Sequence, residues 1–355
     1  MTQPNSNFTI AFELVTRYTQ IREGHTVTDN IIGRYWPAWG GTLVKRSGGW
    51  NNTTYFVENS THRAVLRIYD THKDKDKIEF EHAVLQQLAG LNLPFRVPSP
   101  VRTAEGDTVV QLPERGGKFA CLFEYIEGDS PTEEEAGFMG SFGKAAGLLS
   151  DALAKVGTGL TPVYRPYYEL RQSYPLCSPE VVRGLCQNPP EPFKDLTVEL
   201  KMLYEAYENI SDFLEELAGL PHQLVHGDLN ASNLLVQPND KREVAALLDF
   251  EFCTWDVRAM EPAVILSGLV GHGQETAAVR EFWQGFSDVI QLQEAEIKAI
   301  PVLMLLRKID VFLHFASRYL EGTDEARVLR EQVVLLASDL RQLSGSTEQM
   351  MDILS

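Results

Sequence analysis

Leu224-Val-His-Gly-Asp-Leu-Asn-Ala-Ser-Asn-Leu-Leu-Val236, followed by Leu248-Asp-Phe-Glu251, is the stretch on which the reading of this chain turns. The apolar runs Leu234–Val236 and Val244–Phe250 read as two short strands joined by the polar turn Gln237–Glu243. Asp228 and Asn233 lie five residues apart on the loop feeding the first strand, and Asp249 follows Asn233 by sixteen. A hairpin returns Asp249 to Asn233, so a carboxylate, an amide and a second carboxylate converge at one strand end. Phosphoryl transfer needs that set: a base to orient a hydroxyl, and hard oxygens for Mg²⁺ bridging nucleotide phosphates. Mg²⁺ takes few protein ligands, so Asn233 and Asp249 suffice for the metal and Asp228 is left as the base. Asp228 is expected to have no basic residue beside it. A polar turn with incidental acids is the competing reading, and two motifs agreeing in order and spacing count against it.

Upstream of this island, residues 41–67 read as three strands: Thr42–Arg46, Thr53–Glu58 and Ala64–Tyr69, with Ser47-Gly48-Gly49 at the first turn. Phe80, Val84, Leu85 and Leu88 recur at helical spacing within Ile78–Leu91, and two further strands are expected over Thr108–Leu112 and Phe119–Tyr125. The result is a small mixed sheet carrying one helix. Ile126-Glu-Gly-Asp-Ser-Pro131 has the composition of a connector. Beyond it helical periodicity dominates, over Ala136–Leu153, Leu196–Leu217, Thr276–Ile290, Ala295–Tyr319 and Asp324–Leu343. The expected organisation is a lead-in over 1–40, a β-rich lobe over 41–125, a hinge at 126–131 and a helical lobe over 132–355 with a β-hairpin insert. Architectures of this α+β, bilobal kind commonly bind their ligand between lobes.

Composition narrows the function. The 355 residues carry a net charge of −17, which argues against a nucleic-acid binder working through a general basic surface. Residues 1–125 hold 14 Lys/Arg against 13 Asp/Glu and residues 126–355 hold 18 against 36, so the acidity belongs to the helical part. Cys121, Cys177, Cys186 and Cys253 lack the spacing of zinc or redox pairs and read as scattered buried thiols. The N-terminus has no basic-then-apolar leader. The most apolar stretch, Ile300–Phe315, contains Arg307, Lys308 and Asp310 and is too short and too charged to span a bilayer. A cytoplasmic protein with neither nucleic-acid nor membrane partners is expected.

The paired motifs resemble the catalytic and metal-binding loops of protein-kinase-like folds: His226-x-Asp228-x-x-x-x-Asn233, then Asp249-Phe-Glu where protein kinases have Asp-Phe-Gly. HGDLNASNLL followed by LLDFEF looks like the aminoglycoside phosphotransferase/choline kinase/type II homoserine kinase superfamily, and the resemblance covers roughly residues 40–320. It implies a bilobal protein-kinase-like fold, ATP and Mg²⁺, Asp228 as catalytic base, and Asn233 and Asp249 as metal ligands. In the first lobe it implies nucleotide contacts from the hairpin Ser47–Val57, with Gly48, Gly49 and Asn52, and from the backbone of the hinge, at Glu124 and Ile126. It also implies that Arg67 on the third strand holds phosphates as the ion-pair partner of Glu81. Relatives usually have Lys at the position of Arg67, and a planar fork is not a point charge. Asp256 resembles the family's buried aspartate that braces the catalytic loop. Ser150 stands where many relatives have His.

The resemblance implies a small-molecule kinase that phosphorylates a hydroxyl. The acidic helical part suits a cationic acceptor such as an amino alcohol or an aminoglycoside. A solubilising acidic surface would read the same way. The helix Leu303–Tyr319 carries Arg307, Lys308, Asp310, His314 and Arg318, some of which could meet a carboxylate, so acids plus a basic helix suit a hydroxy amino acid such as homoserine. A protein Ser/Thr kinase is disfavoured because no Ala-Pro-Glu segment follows Asp249. A non-catalytic nucleotide-binding module is disfavoured because Asp228, Asn233 and Asp249 are all present.

Overall fold

The computed structural model describes residues 31–46, 52–70, 74–132, 136–269 and 275–355. Gly48 and Gly49, with the tip of the expected phosphate hairpin, lie outside the described residues, as do residues 1–30 of the lead-in. Internal contacts divide the chain into two units. The first comprises residues up to His82 together with Pro98–Ile126, the second Ala83–Val97 and Glu127–Ser355.

In the first unit, β1 (Thr42–Arg46), β2 (Asn52–Glu58), β3 (Arg63–Tyr69), β6 (Lys118–Glu124) and β4 (Pro100–Val101) form a sheet in that order, with β5 (Val110–Leu112) also on β6. Every pairing in it is antiparallel, not mixed as expected. The β2–β3 turn closes on Asn59, whose Oδ1 accepts from the backbone N–H of Thr61 and His62 at 2.8 and 2.7 Å. Period-2 alternation sends Ala64, Leu66 and Ile68 of β3 into a core with Leu43, Tyr55, Val57, Leu112, Ala120 and Leu122. Residues 31–35 are helical; Ile31, Ile32 and Trp36 seal that core, and the Trp36 indole donates to Val101 O at 3.0 Å. The same alternation leaves Arg67 on the opposite face of β3. Helix α1 (Lys75–Ala89) crosses the division between the units.

The second unit holds two small sheets. β8 (Leu234–Gln237) pairs with β9 (Asp240–Leu247), as expected, though the turn shrinks to two residues because Asp240–Glu243 extend the strand. The other sheet was not expected: β7 (His222–Val225) pairs antiparallel with β10 (Thr254–Val257). Its strands are four residues each, too short for alternation to show in sequence. The helices are α2 (Met139–Leu153), α3 (Leu170–Ser173), α4 (Pro179–Gln187), α5 (Thr197–Ser211), α6 (Leu214–Leu217), α7 (Met260–Leu269), α8 (Glu275–Ser287), α9 (Glu294–Leu320) and α10 (Ala326–Leu354). α10 runs past the expected stop at Leu343 because Met350 and Leu354 are also buried. α2 and α8 meet backbone to backbone: a Cβ on Gly143 would lie 1.9 Å from Phe282 O, and one on Gly285 2.1 Å from Gly140 O.

The expected connector is tied down rather than loose. Asp129 N–H donates to Val236 O at 3.0 Å and its carbonyl accepts from Val236 N–H at 2.9 Å, so this segment adds to the edge of β8. Arg96 bridges β9 in the same manner, through Ala245 O and Leu247 N–H. The β8–β9 hairpin is thus held on both edges. All four cysteines are buried and free, as their spacing suggested. No helix among the described residues is long and apolar enough to cross a membrane.

Candidate active site

β7 delivers the chain into His226-Gly227-Asp228, and β8 carries it away from Asn233. Two interactions draw the loop and the hairpin end together, and others close the loop on itself. Leu248 N–H donates to Asn233 O at 2.8 Å, which sets Asp249 beside the loop. His226 Nε2 meets Leu248 O at 3.0 Å while Nδ1 accepts the Asp228 N–H at 3.3 Å. The partners require a neutral imidazole with its proton on Nε2, and burial keeps it so, lowering the pKa to about 4. Asn233 closes the loop on itself, its side-chain amide donating to Asp228 O at 2.8 Å and to Asp228 Oδ2 at 3.3 Å.

This network bears on the metal. Because the Asn233 nitrogen is committed to Asp228, its amide oxygen is turned the other way and can serve as a hard ligand. Asp249 has φ 68° and ψ 62°, the one left-handed residue other than glycine among the described residues. Such a conformation in an Asp persists when its surroundings impose it, and it collects at ligand sites. The donor set, one amide oxygen and one carboxylate, fits Mg²⁺, which takes the rest of its oxygens from phosphates and water. Among the described residues no group of three or more His, Cys, Asp or Glu is placed to hold a metal ion.

One expectation fails. Asp228 does have a basic neighbour: Arg307 of α9 donates from a terminal nitrogen to Asp228 Oδ1 at 2.5 Å. Spacing could not show this, since 79 residues separate the pair. Arg307 also reaches Asp310 Oδ2 at 3.5 Å, and its guanidinium carbon lies 5.7 Å from the Tyr167 ring centroid. Asp310 is held from the other side by the Tyr174 hydroxyl at 2.7 Å. The other Lys and Arg side chains of α9 are engaged elsewhere, Lys298 with Glu294 at 2.5 Å, Lys308 with Asp339 at 2.6 Å and Arg318 with Asp324 at 2.6 and 2.8 Å. Burial pushes the Asp228 carboxyl up to about 6 against the pull of Arg307, with Asp249 and Glu251 adding to the rise. A carboxylate so poised is better matched to accepting a hydroxyl proton than one at its ordinary value.

Behind the loop stand groups the sequence reading placed only in part. Asp256 accepts from the Tyr167 N–H and from its own neighbour's Val257 N–H, both at 2.6 Å. It therefore reaches the loop through Tyr167, whose hydroxyl donates to Gly227 O at 2.6 Å. The direct brace is Glu261, fully buried at the start of α7, which accepts the His226 N–H at 2.6 Å. The sequence reading passed it over, although a carboxylate within the mostly apolar run Met260–Leu269 is a signal that could have found it. Ser150 also finds a role: Gln223 of β7 donates to both its carbonyl and its hydroxyl at 2.9 Å, pinning the strand before the loop to α2.

In the first unit, Arg67 meets Glu81 at 3.4 Å, and Glu81 accepts the Tyr69 hydroxyl at 3.2 Å. Arg67 also lies over Phe123, 5.4 Å from the ring centroid. Glu81 is 1% exposed and Arg67 17%, so the acid is the fixed member of the pair and the guanidinium its partly open end. Asn52 opens β2 opposite Tyr69. Glu124 N–H is already donated to Ser99 O at 3.0 Å, which leaves its carbonyl as the group able to meet a base. Ile126 is the last residue of this unit and is half-buried.

With this geometry in place, the class of protein is defined. The chain matches the phosphotransferase enzyme family over residues 42–296 and belongs to it. It is a kinase of protein-kinase-like fold that acts on a hydroxyl group. The homoserine kinase of Brucella canis is 26% identical over 278 residues, which span 74% of this chain and 76% of that protein. A microcompartment-associated aminopropanol kinase superposes with a TM-score of 0.71 at 18% identity, over 92% of this chain and 98% of its own. A spectinomycin phosphotransferase solved with ADP and spectinomycin does so with a TM-score of 0.66 at 13% identity, over 91% and 98%. The relatives are small-molecule kinases, and those solved with ligands hold nucleotides.

Proposed function

We propose that the protein transfers the γ-phosphoryl group of MgATP to the hydroxyl of a small amino-bearing metabolite, an amino alcohol or a hydroxy amino acid of the homoserine kind. The observation that carries this is the joining of Asp228, Asn233 and Asp249 through His226 and the Asn233–Leu248 bond. Asp228 accepts the acceptor's hydroxyl proton as the oxygen bonds to the γ-phosphorus and the bridging P–O bond to ADP breaks. Asn233 Oδ1 and Asp249 would hold Mg²⁺, which when bound would supply neutralising charge to the phosphate oxygens. Arg67, steadied by Glu81, grips phosphates, and the Glu124 carbonyl and Ile126 N–H address the base. Asn52, which opens β2, meets the phosphates. A protein substrate fits poorly, because only residues 250–253 separate Asp249 from β10 and leave no room for an activation segment.

The test keeps the shape and removes one charge. Asp228→Asn should lower transfer to an authentic acceptor by about 10²–10⁴-fold while MgATP affinity changes little. Equal turnover by Asp228→Asn and wild type would remove Asp228 from the reaction.

A further inference from the structure

The ion pair on the base has a consequence for the acceptor. Asp228 has both carboxylate oxygens engaged, Oδ1 by Arg307 at 2.5 Å and Oδ2 by Asn233 at 3.3 Å. A hydroxyl delivering its proton to Asp228 must therefore arrive within one guanidinium's width of Arg307. That guanidinium is held rather than waving. Asp310 reaches it at 3.5 Å and the Tyr167 ring lies 5.7 Å from its carbon, while its side chain keeps 22% exposure. Asp310 is itself fixed by Tyr174, so Arg307 can leave Asp228 without abandoning its anchor. Lys308 and Arg318, the neighbouring cations of α9, are consumed by Asp339 and Asp324. Arg307 is thus the cation of this helix that stands beside the base.

We propose that Arg307 selects the acceptor: its guanidinium binds a carboxylate carried by the substrate next to the hydroxyl being phosphorylated, giving up its bond to Asp228 as it does so. A planar, bidentate donor suits a carboxylate, and an acceptor presenting an ammonium at that place meets like charge instead. The acceptor class is then a hydroxy amino acid rather than a simple amino alcohol or a polycationic aminoglycoside. This rests on the function proposed above, with Asp228 as the base.

The decisive comparison uses two acceptors that differ by the carboxylate alone, homoserine and 3-aminopropan-1-ol, with wild type, Arg307→Met and Arg307→Lys. Wild type should prefer homoserine in kcat/KM by about 10–100-fold, the range for a hydrogen-bonded charge pair. In Arg307→Met that preference should fall to within about threefold of unity, whatever happens to the absolute rates, and Arg307→Lys should recover part of it. A preference that survives in Arg307→Met would show that Arg307 merely positions Asp228, and so would equal use of both acceptors by wild type. Transfer to kanamycin with none to homoserine would also overturn the assignment. Calorimetric titration of each compound separates this idea from the reaction itself. Homoserine bound by wild type and lost in Arg307→Met, without transfer to either compound, would sink the proposed reaction and leave Arg307 as a carboxylate site. Homoserine bound equally by both proteins, or by neither, would sink the Arg307 assignment.

Discussion

At the scale of single residues, the site is a set of polar groups linked by hydrogen bonds and ion pairs, and Glu261 is the least expected of them. It is fully buried, accepts the His226 N–H at 2.6 Å, and burial pushes its carboxyl up to about 7. A raised folded-state value means that the folded protein binds the proton more tightly than the unfolded chain. The associated stability is complete below the ordinary range near 4.5 and is lost as pH rises through about 7. Wild type should therefore unfold at lower denaturant at pH 8 than at pH 5. Glu261→Gln, which still accepts from His226, should flatten that dependence by roughly 3 kcal/mol. Parallel urea titrations at the two pH values check it, and an unchanged slope in the variant would mean that Glu261 titrates normally. Asp228, Asn233 and Asp249 were legible as a trio from type and spacing. Arg307 was legible only as one of five charged or histidine side chains over Leu303–Tyr319 and Tyr167 not at all, because their partners lie on other elements, and no local rule links α9 to a loop 79 residues away.

At the scale of elements, the β8–β9 hairpin acts as a stiff carrier for the loop ends. Its edges are bridged by Asp129 and Arg96, and β7 is pinned to α2 through Gln223 and Ser150. α2 in turn depends on close approach to α8, and this is where glycine matters. A Cβ at Gly143 would sit 1.9 Å from the Phe282 carbonyl and within 2.9 Å of Phe286 N, against backbone that cannot turn aside. Gly143→Ala should cost about 3 kcal/mol or more, above the usual gain of alanine in a helix, and should lower the melting temperature by several degrees. Gly184→Ala on α4, where nothing lies within 4 Å, is the control and should be neutral or slightly stabilising. Equal melting of the two variants would mean that α2 and α8 can separate without loss. Long helices and the strands β1, β2, β3, β5 and β6 were readable from residue pattern, whereas the two-residue β4 was not. The β7–β10 sheet was not, because four-residue strands carry too few alternations to stand out from loop.

At the scale of the whole molecule, charge is the property that reaches furthest. Residues 126–355 carry 36 acidic against 18 basic side chains, a field that draws cations of any kind toward the part holding Asp228. Homoserine has no net charge and 3-aminopropan-1-ol has one positive charge, so the two should respond differently to salt. Raising ionic strength from about 20 to 300 mM shortens the screening length from roughly 20 to 6 Å. KM for the amino alcohol should rise several-fold over that range, whereas KM for homoserine should change less than about twofold. Identical salt dependence of the two would show that the acidity is solubilising surface without influence on the acceptor.

The amino-acid sequence alone determined the family, the type and spacing of Asp228, Asn233 and Asp249, and the strands and helices whose periodicity runs long enough to read. These are local or linear properties, carried by residue type, spacing and period. Tertiary structure alone decided that Asp228 is paired with Arg307, that Asp256 reaches the loop through Tyr167, that Glu261 holds His226, and that the connector is stitched to β8. Each of these depends on which buried group finds which partner. A carboxylate withdrawn from water must take the nearest donor, and folding alone sets which donor that is.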